Sequence, residues 1–354
     1  MMPLRCLRPQ GESIQAFDLD DTEWALLRDE NRRSRHLRVP CCNATVAMKV
    51  SSRGLRFFSH QSRGTCTTAP ETEEHLLIKS LAVDAARRAG WAASTEVPGL
   101  SDNDESWIAD VLAYKGKHRV AIEIQWSPQT AEETMRRQER YQRSGVRCLW
   151  LFRRPGYPIS KELPAVCVGG DRQNGFQAKI PHASTMSLRG TDDATRWRQV
   201  LPLTSFLDAV FAQRFRFGID AETSATVTVQ SGSIWCWKCG AETRIITFIE
   251  VTVGPYKAQR TIHELPDNLV EQVVQKLPPG EQVGVIKPRF SRTVEHSYLS
   301  NGCFHCDALI GEFFEHDAWY SGPKVLATFP VKLSDGWREA IGSRDGWGVH
   351  PERL

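Results

Sequence analysis

Two alternating strands joined by a tight turn are the feature that most constrains the fold of this chain. The segments 107–114 and 119–126 alternate between apolar and polar residues, and Gly116-Lys117 lies between them. A two-residue loop with glycine first is typical of a β-hairpin. The loop predicts that Lys115 pairs with His118, and this pair sets the register of the whole hairpin.

In this register two carboxylates lie side by side. Asp110 lies opposite Glu123, and Gln125 shares their face because it is two residues from Glu123. Like charges directly opposite each other destabilise a strand pair, and a hard divalent cation removes that conflict. Mg²⁺ binds one or two carboxylates together with waters and phosphate oxygens, so the pattern is typical of a metal-dependent phosphodiesterase. The alternative is a solvated face in another register, since a slip of one residue separates the two carboxylates.

A helix with polar residues beside its apolar stripe precedes the hairpin. Thr68 and Glu71 form a capping-box pattern that predicts its start. Glu74 falls inside the apolar stripe, and Glu71 and His75 border it. Lys79 follows one turn after His75. Polar groups beside a buried stripe need partners, which favours a functional site. The alternative is ordinary capping with acids placed favourably at a helix N-terminus.

The order of elements around the hairpin predicts an α/β (α+β) core. Over residues 67–155 the order is helix, strand, hairpin, helix, strand, with the second helix starting at Pro128. In this arrangement the last strand can lie parallel to a neighbour, which gives a mixed central sheet flanked by helices.

Several motifs follow one another in a fixed order. They are Phe57-Phe58-Ser59-His60, Cys66, the run Glu71 to Lys79, Ala109-Asp110-Val111, the run Glu123 to Ser127, Arg137 with Tyr141, and Cys148-Leu149-Trp150-Leu151. Together they resemble the competence protein CoiA-like nuclease family over residues 37–155. The resemblance implies a restriction-endonuclease-like core of the PD-(D/E)xK class and a role in processing DNA.

The resemblance also implies roles for individual residues. Asp110 and Glu123 correspond to the metal ligands of the class, and a glutamate of the first helix often assists them. Gln125 stands where the wider class has a catalytic lysine, and the CoiA-like pattern also has a glutamine at this position. Because glutamine supplies no positive charge, our hypothesis is that Lys79 compensates from the first helix.

The second helix of the core carries a basic cluster. Arg137 and Tyr141 lie four residues apart and match family positions, so we expect them to contact phosphate or to brace the site. Arg136 and Arg140 lie on the same helix and are expected to bind nucleic acid through phosphates, which is salt-sensitive. The alternative is a solvated face, since the net charge of +3 is too small to argue for nucleic acid by itself.

Two CxxC pairs lie in the last third of the chain. Cys236 and Cys239 form one pair, and Cys303 and Cys306 form the other. Four thiolates in two such pairs favour a tetrahedral structural zinc site, which stabilises a small fold and does no chemistry. A redox-active pair is the alternative. The resembled family often carries a zinc ribbon of this kind in its longer members.

A second, weaker cluster lies near the N-terminus. It comprises Cys41, Cys42, His60 and Cys66, with His36 as an alternative ligand. The spacing allows a small zinc knuckle, for which we expect Cys42, His60 and Cys66 as ligands. The resembled family tends to have Cys-Pro-x-Cys here, and this chain departs from that pattern.

Composition and cysteine use limit the class of protein. Of the 354 residues, 41% are hydrophobic and 25% are charged, as in soluble globular proteins. The sequence shows no apolar run that spans a bilayer and no apolar core of a signal peptide in residues 1–13. Ten cysteines in a chain without export features favour reduced thiols in the cytoplasm.

Four segments are expected from these features. Residues 1–66 form an N-terminal zinc-finger-like module, 67–155 the nuclease core, 156–230 a partly helical connection, and 231–354 a C-terminal zinc-ribbon domain.

The leading interpretation is a cytoplasmic hydrolase, a Mg²⁺- or Mn²⁺-dependent deoxyribonuclease with structural Zn²⁺. The expected catalytic residues are Asp110, Glu123, Gln125, Glu71, Glu74, His75 and Lys79. One alternative is a non-catalytic, zinc-containing nucleic-acid-binding protein with a degenerate nuclease site. Another is a protein-interaction scaffold, which would show no salt-dependent binding to DNA.

Overall fold

The chain divides into two compact units. A computed structural model describes residues 3–62, 71–182, 197–219, 224–333, 335–342 and 346–352. Unit 1 comprises Met1–Phe217 with Asp345–Leu354, and unit 2 comprises Gly218–Arg344. The boundary at Phe217 falls inside the expected connecting segment 156–230, so unit 1 contains both expected N-terminal segments. Among the described helices, none has the length and hydropathy required to cross a bilayer.

The described chain contains both strands and helices. The strands are β1 (Arg5–Leu7), β2 (Ser13–Gln15), β3 (Val46–Val50), β4 (Arg56–His60), β5 (Ala92–Leu100), β6 (Ser106–Lys115), β7 (His118–Gln125), β8 (Arg147–Phe152), β9 (Ala165–Asp171), β10 (Gly175–Pro181), β11 (Trp197–Pro202), β12 (Phe215–Phe217), β13 (Ser224–Trp235), β14 (Glu242–Val253), β15 (Tyr256–Arg260), β16 (Lys287–Ser291), β17 (His296–Gly302), β18 (Leu309–Ile310), β19 (Lys324–Lys332) and β20 (Trp347–Val349). The helices are α1 (Asp21–Ser34), α2 (Glu73–Arg88), α3 (Ala131–Arg143), α4 (Leu203–Phe211), α5 (Asp267–Val274), α6 (Glu312–Trp319) and α7 (Asp335–Ala340).

A seven-stranded mixed sheet forms the centre of unit 1, in the order β11-β10-β9-β8-β7-β6-β5. The strands β7, β8 and β9 run parallel, and the remaining pairs are antiparallel. Helices α2 and α4 pack on one face through an apolar cluster that includes Ile78 and Phe206. Helix α3 packs on the other face through Tyr141. The predicted α/β class with a mixed central sheet flanked by helices is confirmed.

The hairpin of β6 and β7 has the predicted turn. Lys115 pairs with His118, and the same register continues to Val111 paired with Ile122. Gly116 has a φ of 57°, a left-handed conformation that tight hairpin turns require and that glycine adopts without steric cost. The local turn chemistry therefore sets the register of the two strands.

Both core helices begin later than the sequence pattern predicts. Helix α2 begins at Glu73, because the Thr72 side chain caps it by accepting a hydrogen bond from the His75 backbone N–H at 3.3 Å. The predicted cap, Thr68, lies outside the described residues, and the expected start there is wrong. Helix α3 begins at Ala131 rather than Pro128, since Thr130 provides its cap.

The N-terminal part of unit 1 contains a helix that the sequence reasoning missed. Asp20 caps α1 and forms a capping box with Glu23, a pattern that is visible in the sequence. Its Trp24 and Leu27 pack with strands β3 and β4 in a separate apolar cluster, which also receives Leu76 of α2. This packing brings the N-terminal module against the helix that carries the candidate site.

Unit 2 is built mainly from antiparallel strands. One sheet has the order β15-β14-β13-β19, and a second has the order β16-β17-β18. The core of the larger sheet includes Val227, Ile249, Leu269 and Trp337, so helices α5 and α7 cover it. The CxxC pairs follow β13 and β17.

Candidate active site

The regular alternation of β6 shifts at Asp110. Ala109 packs in the apolar cluster on the α3 face of the sheet, whereas Val111 packs in the apolar cluster on the α2 face. On a regular strand, residues two apart would share one face. On the neighbouring strand β5, Glu96 has a left-handed φ of 48°. The ladder between β5 and β6 joins Thr95 to Val111 and Val97 to Ala109 on either side of this irregularity.

The shift turns the Asp110 side chain toward α2. Its Oδ2 lies 3.4 Å from His75 Nε2 and accepts a hydrogen bond from the Ile124 backbone N–H at 2.8 Å. Glu123 instead contacts α3. The expectation that Asp110 and Glu123 share one face, based on unbroken alternation, is therefore wrong.

Lys79 lies at the centre of the acidic residues. Its side chain has no exposed surface, and its Nζ donates to Glu71 Oε1 at 2.8 Å and to Glu96 Oε1 at 3.0 Å. Asp110 Oδ1 also lies 3.0 Å from Nζ. Burial disfavours the charged ammonium, but the three carboxylates outweigh it and hold the pKa of Lys79 above its ordinary value.

Three side chains present possible metal-ligand atoms to one another. One ligand atom each from Glu71, His75 and Asp110 lies within 4.8 Å of the others. Lys79 takes Oε1 of Glu71 and Oδ1 of Asp110. Glu71 Oε2 is buried and has no hydrogen-bond partner among the described residues. An unsatisfied buried carboxylate oxygen is costly, and a cation beside Glu71, His75 and Asp110 would satisfy it.

Burial and charge shift the acidities of this cluster in opposite directions. Burial raises the pKa of Glu71, and the Lys79 charge only partly offsets that effect. Burial also acts to raise the pKa of Asp110, but Lys79 and His75 outweigh it and hold that pKa well below its ordinary value. The Asp110 carboxyl is therefore ionised at neutral pH.

Glu123 lies on the α3 side of the sheet, and only 3% of its side chain is exposed. One of its oxygens accepts a hydrogen bond from the Tyr141 hydroxyl, and the other accepts from the Arg137 guanidinium. Burial raises the pKa of Glu123 to about 7, with Arg137 opposing the shift and Asp110 adding to it. The structure thus brings Glu123 together with Arg137 and Tyr141, the pair that the sequence placed at the site.

Gln125 is linked to the same arginine. Its Oε1 accepts a hydrogen bond from Arg137 Nη1 at 3.0 Å, and its Nε2 donates to the Ser127 carbonyl at 2.8 Å. Gln129 accepts from the same Arg137 nitrogen at 2.8 Å. Gln125 therefore orients Arg137, while the buried cation of the site is Lys79.

A cavity of about 320 Å³ lies beside Arg137. Arg140 and Tyr141 also line it, together with residues 106–108. Arg136 lies away from the cavity in an ion pair with Glu133 of its own helix, with a nitrogen–oxygen distance of 2.9 Å. Two expected basic residues, Arg137 and Arg140, therefore face one concave surface. Glu74 lies in the first turn of α2 and is outside the described three-residue cluster.

The four cysteines of unit 2 converge. Cys236 Sγ lies 3.6 Å from Cys306 Sγ, and Cys239 Sγ lies 3.7 Å from Cys303 Sγ. Burial acts to raise the pKa of Cys236, but backbone N–H groups of its own knuckle lower it to about 7. One ligand atom from each residue lies within 4.8 Å of the others, so the cluster could bind zinc as a four-thiolate site.

Three residues of the N-terminal cluster also converge. His60 Nε2 lies 3.5 Å from Cys41 Sγ and 3.2 Å from Cys42 Sγ, and the three could hold a metal ion. Cys41 thus joins the expected Cys42 and His60. Cys66, the third expected ligand, lies outside the described residues.

Glu96 is the residue of this site that the sequence reasoning missed. It is 2% exposed. It belongs to no recognisable motif, and the Val97-Pro98 pair that follows it is typical of the end of a strand. Strand β5 continues through Pro98 to Leu100 instead. A lone glutamate within an apolar strand pattern was the available signal.

Comparison with known proteins agrees with the resemblance of the motifs. No curated protein matches the chain. Residues 71–161 match the family model of the competence protein CoiA, nuclease-like domain. The matched segment contains the cluster of Glu71, His75 and Asp110 and also Glu123. The match agrees with the resemblance of the motifs to the CoiA-like nuclease family over this segment of the chain.

Proposed function

We propose that this protein is a divalent-metal-dependent nuclease that hydrolyses phosphodiester bonds of DNA. The observation that carries the proposal is the convergence of Glu71, His75 and Asp110 around a buried Glu71 oxygen for which the described part of the chain offers no hydrogen-bond partner. This convergence lies inside the segment that matches a nuclease-like domain.

The donor set fits a divalent cation. Glu71 Oε2, His75 Nε2 and Asp110 Oδ2 offer two carboxylate oxygens and one imidazole nitrogen, a combination that suits Mn²⁺ and also admits Mg²⁺. When bound, such an ion activates water and stabilises charge on the phosphate. The side chain of His75 is held for this role by the ring of Trp126, with ring centroids 6.2 Å apart.

Lys79 fixes the two carboxylates. By holding Oε1 of Glu71 and Oδ1 of Asp110, it leaves the other oxygen of each facing the site. The Lys79 ammonium thus supplies the positive charge that Gln125 does not. Because Lys79 is fully buried, we assign it the role of orienting and charging the ligands rather than contacting the substrate.

Arg137 connects the substrate surface to Glu123. It lines the cavity beside α3 and donates to Glu123 at the same time. A DNA phosphate in the cavity competes for this guanidinium, because arginine forms strong bidentate contacts with phosphate. That competition would release one Glu123 oxygen from Arg137, while the Tyr141 hydroxyl holds the other. Arg140 provides a second phosphate contact in the same cavity.

The cysteine clusters are proposed to bind structural zinc. The four thiolates of unit 2 form a closed set without an open position for chemistry. Cys41, Cys42 and His60 form the second proposed site. Both sites stabilise the fold, whereas the proposed chemistry belongs to Glu71, His75 and Asp110.

The test is cleavage of circular and linear, single- and double-stranded DNA with Mn²⁺ or Mg²⁺. We expect Asp110→Asn to reduce cutting at least about 100-fold, because even outer-shell substitutions around a metal cost about 10–100-fold. Glu123→Gln is also expected to reduce cutting. Asp102→Asn, the same change in an exposed loop, is the matched control and is expected to cut as the wild type does.

The wild type and all three variants are first checked for folding by circular dichroism. Cutting that persists in the folded Asp110→Asn variant would refute the proposal. A folded wild type that binds DNA but does not cut it with either ion would favour the non-catalytic nucleic-acid-binding alternative.

A further inference from the structure

We propose that Glu96 is a positioning residue of the candidate site. Its carboxylate holds Lys79 in place and supplies the third negative charge of the cluster. This leaves the cluster with the two net negative charges that a divalent cation neutralises. The inference rests on the proposed function, because it assigns Glu96 to the metal site proposed above.

The position of Glu96 suits a supporting role rather than contact with substrate. Its Oε1 accepts a hydrogen bond from Lys79 Nζ at 3.0 Å, and its side chain is 3% exposed. The left-handed φ of 48° is uncommon for a residue with a side chain. It occurs beside Asp110, where the alternation of β6 shifts. The irregularities of the two strands thus direct both carboxylates to one ammonium.

The N-terminal strand β1 braces this conformation. The Leu4 backbone N–H lies 3.4 Å from Glu96 Oε1, and Arg5 Nη1 donates to the Glu96 carbonyl at 3.1 Å. The Thr95 hydroxyl donates to the other carboxylate oxygen and lies 2.9 Å from Gln15 Oε1. Both oxygens of Glu96 are therefore engaged by neighbouring groups.

Formal charges explain why a third carboxylate matters. Glu71, Glu96 and Asp110 carry three negative charges, and Lys79 carries one positive charge. The net charge of minus two equals the charge that a divalent cation brings. Without Glu96 the cluster would carry minus one, and Lys79 would pair more strongly with the two ligand carboxylates. Both effects weaken metal binding.

The experiment measures Mn²⁺ binding to the full chain by electron paramagnetic resonance, with DNA cutting recorded in parallel. Glu96→Gln removes the charge and keeps the shape, and we expect it to weaken binding at least about tenfold because buried charges interact strongly. Glu96→Asp keeps the charge and is expected to bind within about threefold of the wild type. Glu12→Gln, at an exposed glutamate, is the matched control.

A charge-compensating double variant separates charge from fold. Lys79→Met combined with Glu96→Gln leaves Glu71 and Asp110, which restores a net charge of minus two. We expect the double variant to bind Mn²⁺ more tightly than Glu96→Gln alone, whereas a residue that only stabilises the fold would give additive losses. Rescue of this kind also tests the proposal if Glu96→Gln by itself does not fold.

The outcomes distinguish this inference from the proposed function. Wild-type affinity in Glu96→Gln, or equal losses in Glu96→Asp and Glu96→Gln, would overturn the role of Glu96 even if the wild type cuts DNA. Mn²⁺ binding that weakens as expected in a protein that does not cut DNA would support the role of Glu96 and reject the nuclease.

Discussion

At the scale of single residues, Lys79 shows how one buried charge holds a site together. Lys79→Met would leave Glu71, Glu96 and Asp110 buried without their shared partner. Removal of one member of a buried ionic cluster costs about 3–5 kcal/mol, so we expect the free energy of unfolding in urea to fall by that amount. Lys117→Met, in the exposed hairpin turn, is the control and should change it by less than about 0.5 kcal/mol.

Added Mn²⁺ should return part of the stability lost in Lys79→Met, since the ion replaces the missing positive charge. An unfolding curve of Lys79→Met that coincides with that of the wild type would contradict the central role of this ammonium.

The buried carboxyl group of Glu315 should make the stability of unit 2 depend on pH. Glu315 is 5% exposed and accepts a hydrogen bond from Asn301 at 2.8 Å, and burial raises its pKa to about 7. Between about pH 4.5 and 7 the folded state keeps a proton that the unfolded state loses. The free energy of unfolding therefore falls as the pH rises through this window.

Glu315→Gln should remove this dependence and increase the free energy of unfolding at pH 8 by about 3 kcal/mol at most. Chemical denaturation of the wild type and of Glu315→Gln at several pH values measures both effects. Parallel pH profiles of the two proteins would show that Glu315 is ionised in the folded state.

At the scale of elements, the sequence predicts those whose signals are local. The β6–β7 turn follows from Gly116-Lys117, and its register is correct because only the turn and alternation decide it. The segment 156–230, expected to be partly helical, contains α4 (Leu203–Phe211), but Phe215 of β12 pairs with Val349 of β20. That pairing joins residues far apart in the chain, and no local pattern contains it.

The candidate site shows the same limit. The motif placed Glu71, His75, Lys79 and Asp110 close together, and the structure does so as well. Glu96 was missed because its role depends on an irregularity shared by β5 and β6. The separation of Asp110 from Glu123 was missed for the same reason, since strict alternation assumes that β6 is regular at Asp110. Shifts of this kind are set by packing across the sheet rather than by neighbouring residues.

At the scale of the whole molecule, the two units carry different parts of the proposed function. Unit 1 contains the proposed metal ligands Glu71, His75 and Asp110, and unit 2 contains the four-cysteine cluster. The larger sheet of unit 2 has its own apolar core, which excludes the cysteines. Metal at the cysteines should therefore stabilise the end of unit 2 that contains β16, β17 and β18. The apolar core of the larger sheet of unit 2 and that of the central sheet of unit 1 should stay folded without the metal.

Cys239→Ser tests this division. Because structural zinc contributes directly to folding, we expect the full chain to lose one equivalent of bound zinc and hydrogen-exchange protection in 236–240 and 296–310. Protection in 225–231 and 71–182 should remain. Cys239→His is the matched control, since histidine can replace a cysteine ligand and should retain the metal. Unchanged zinc content in Cys239→Ser would exclude a zinc site at these cysteines. Loss of protection in 71–182 would show that the cluster supports the nuclease-like domain as well.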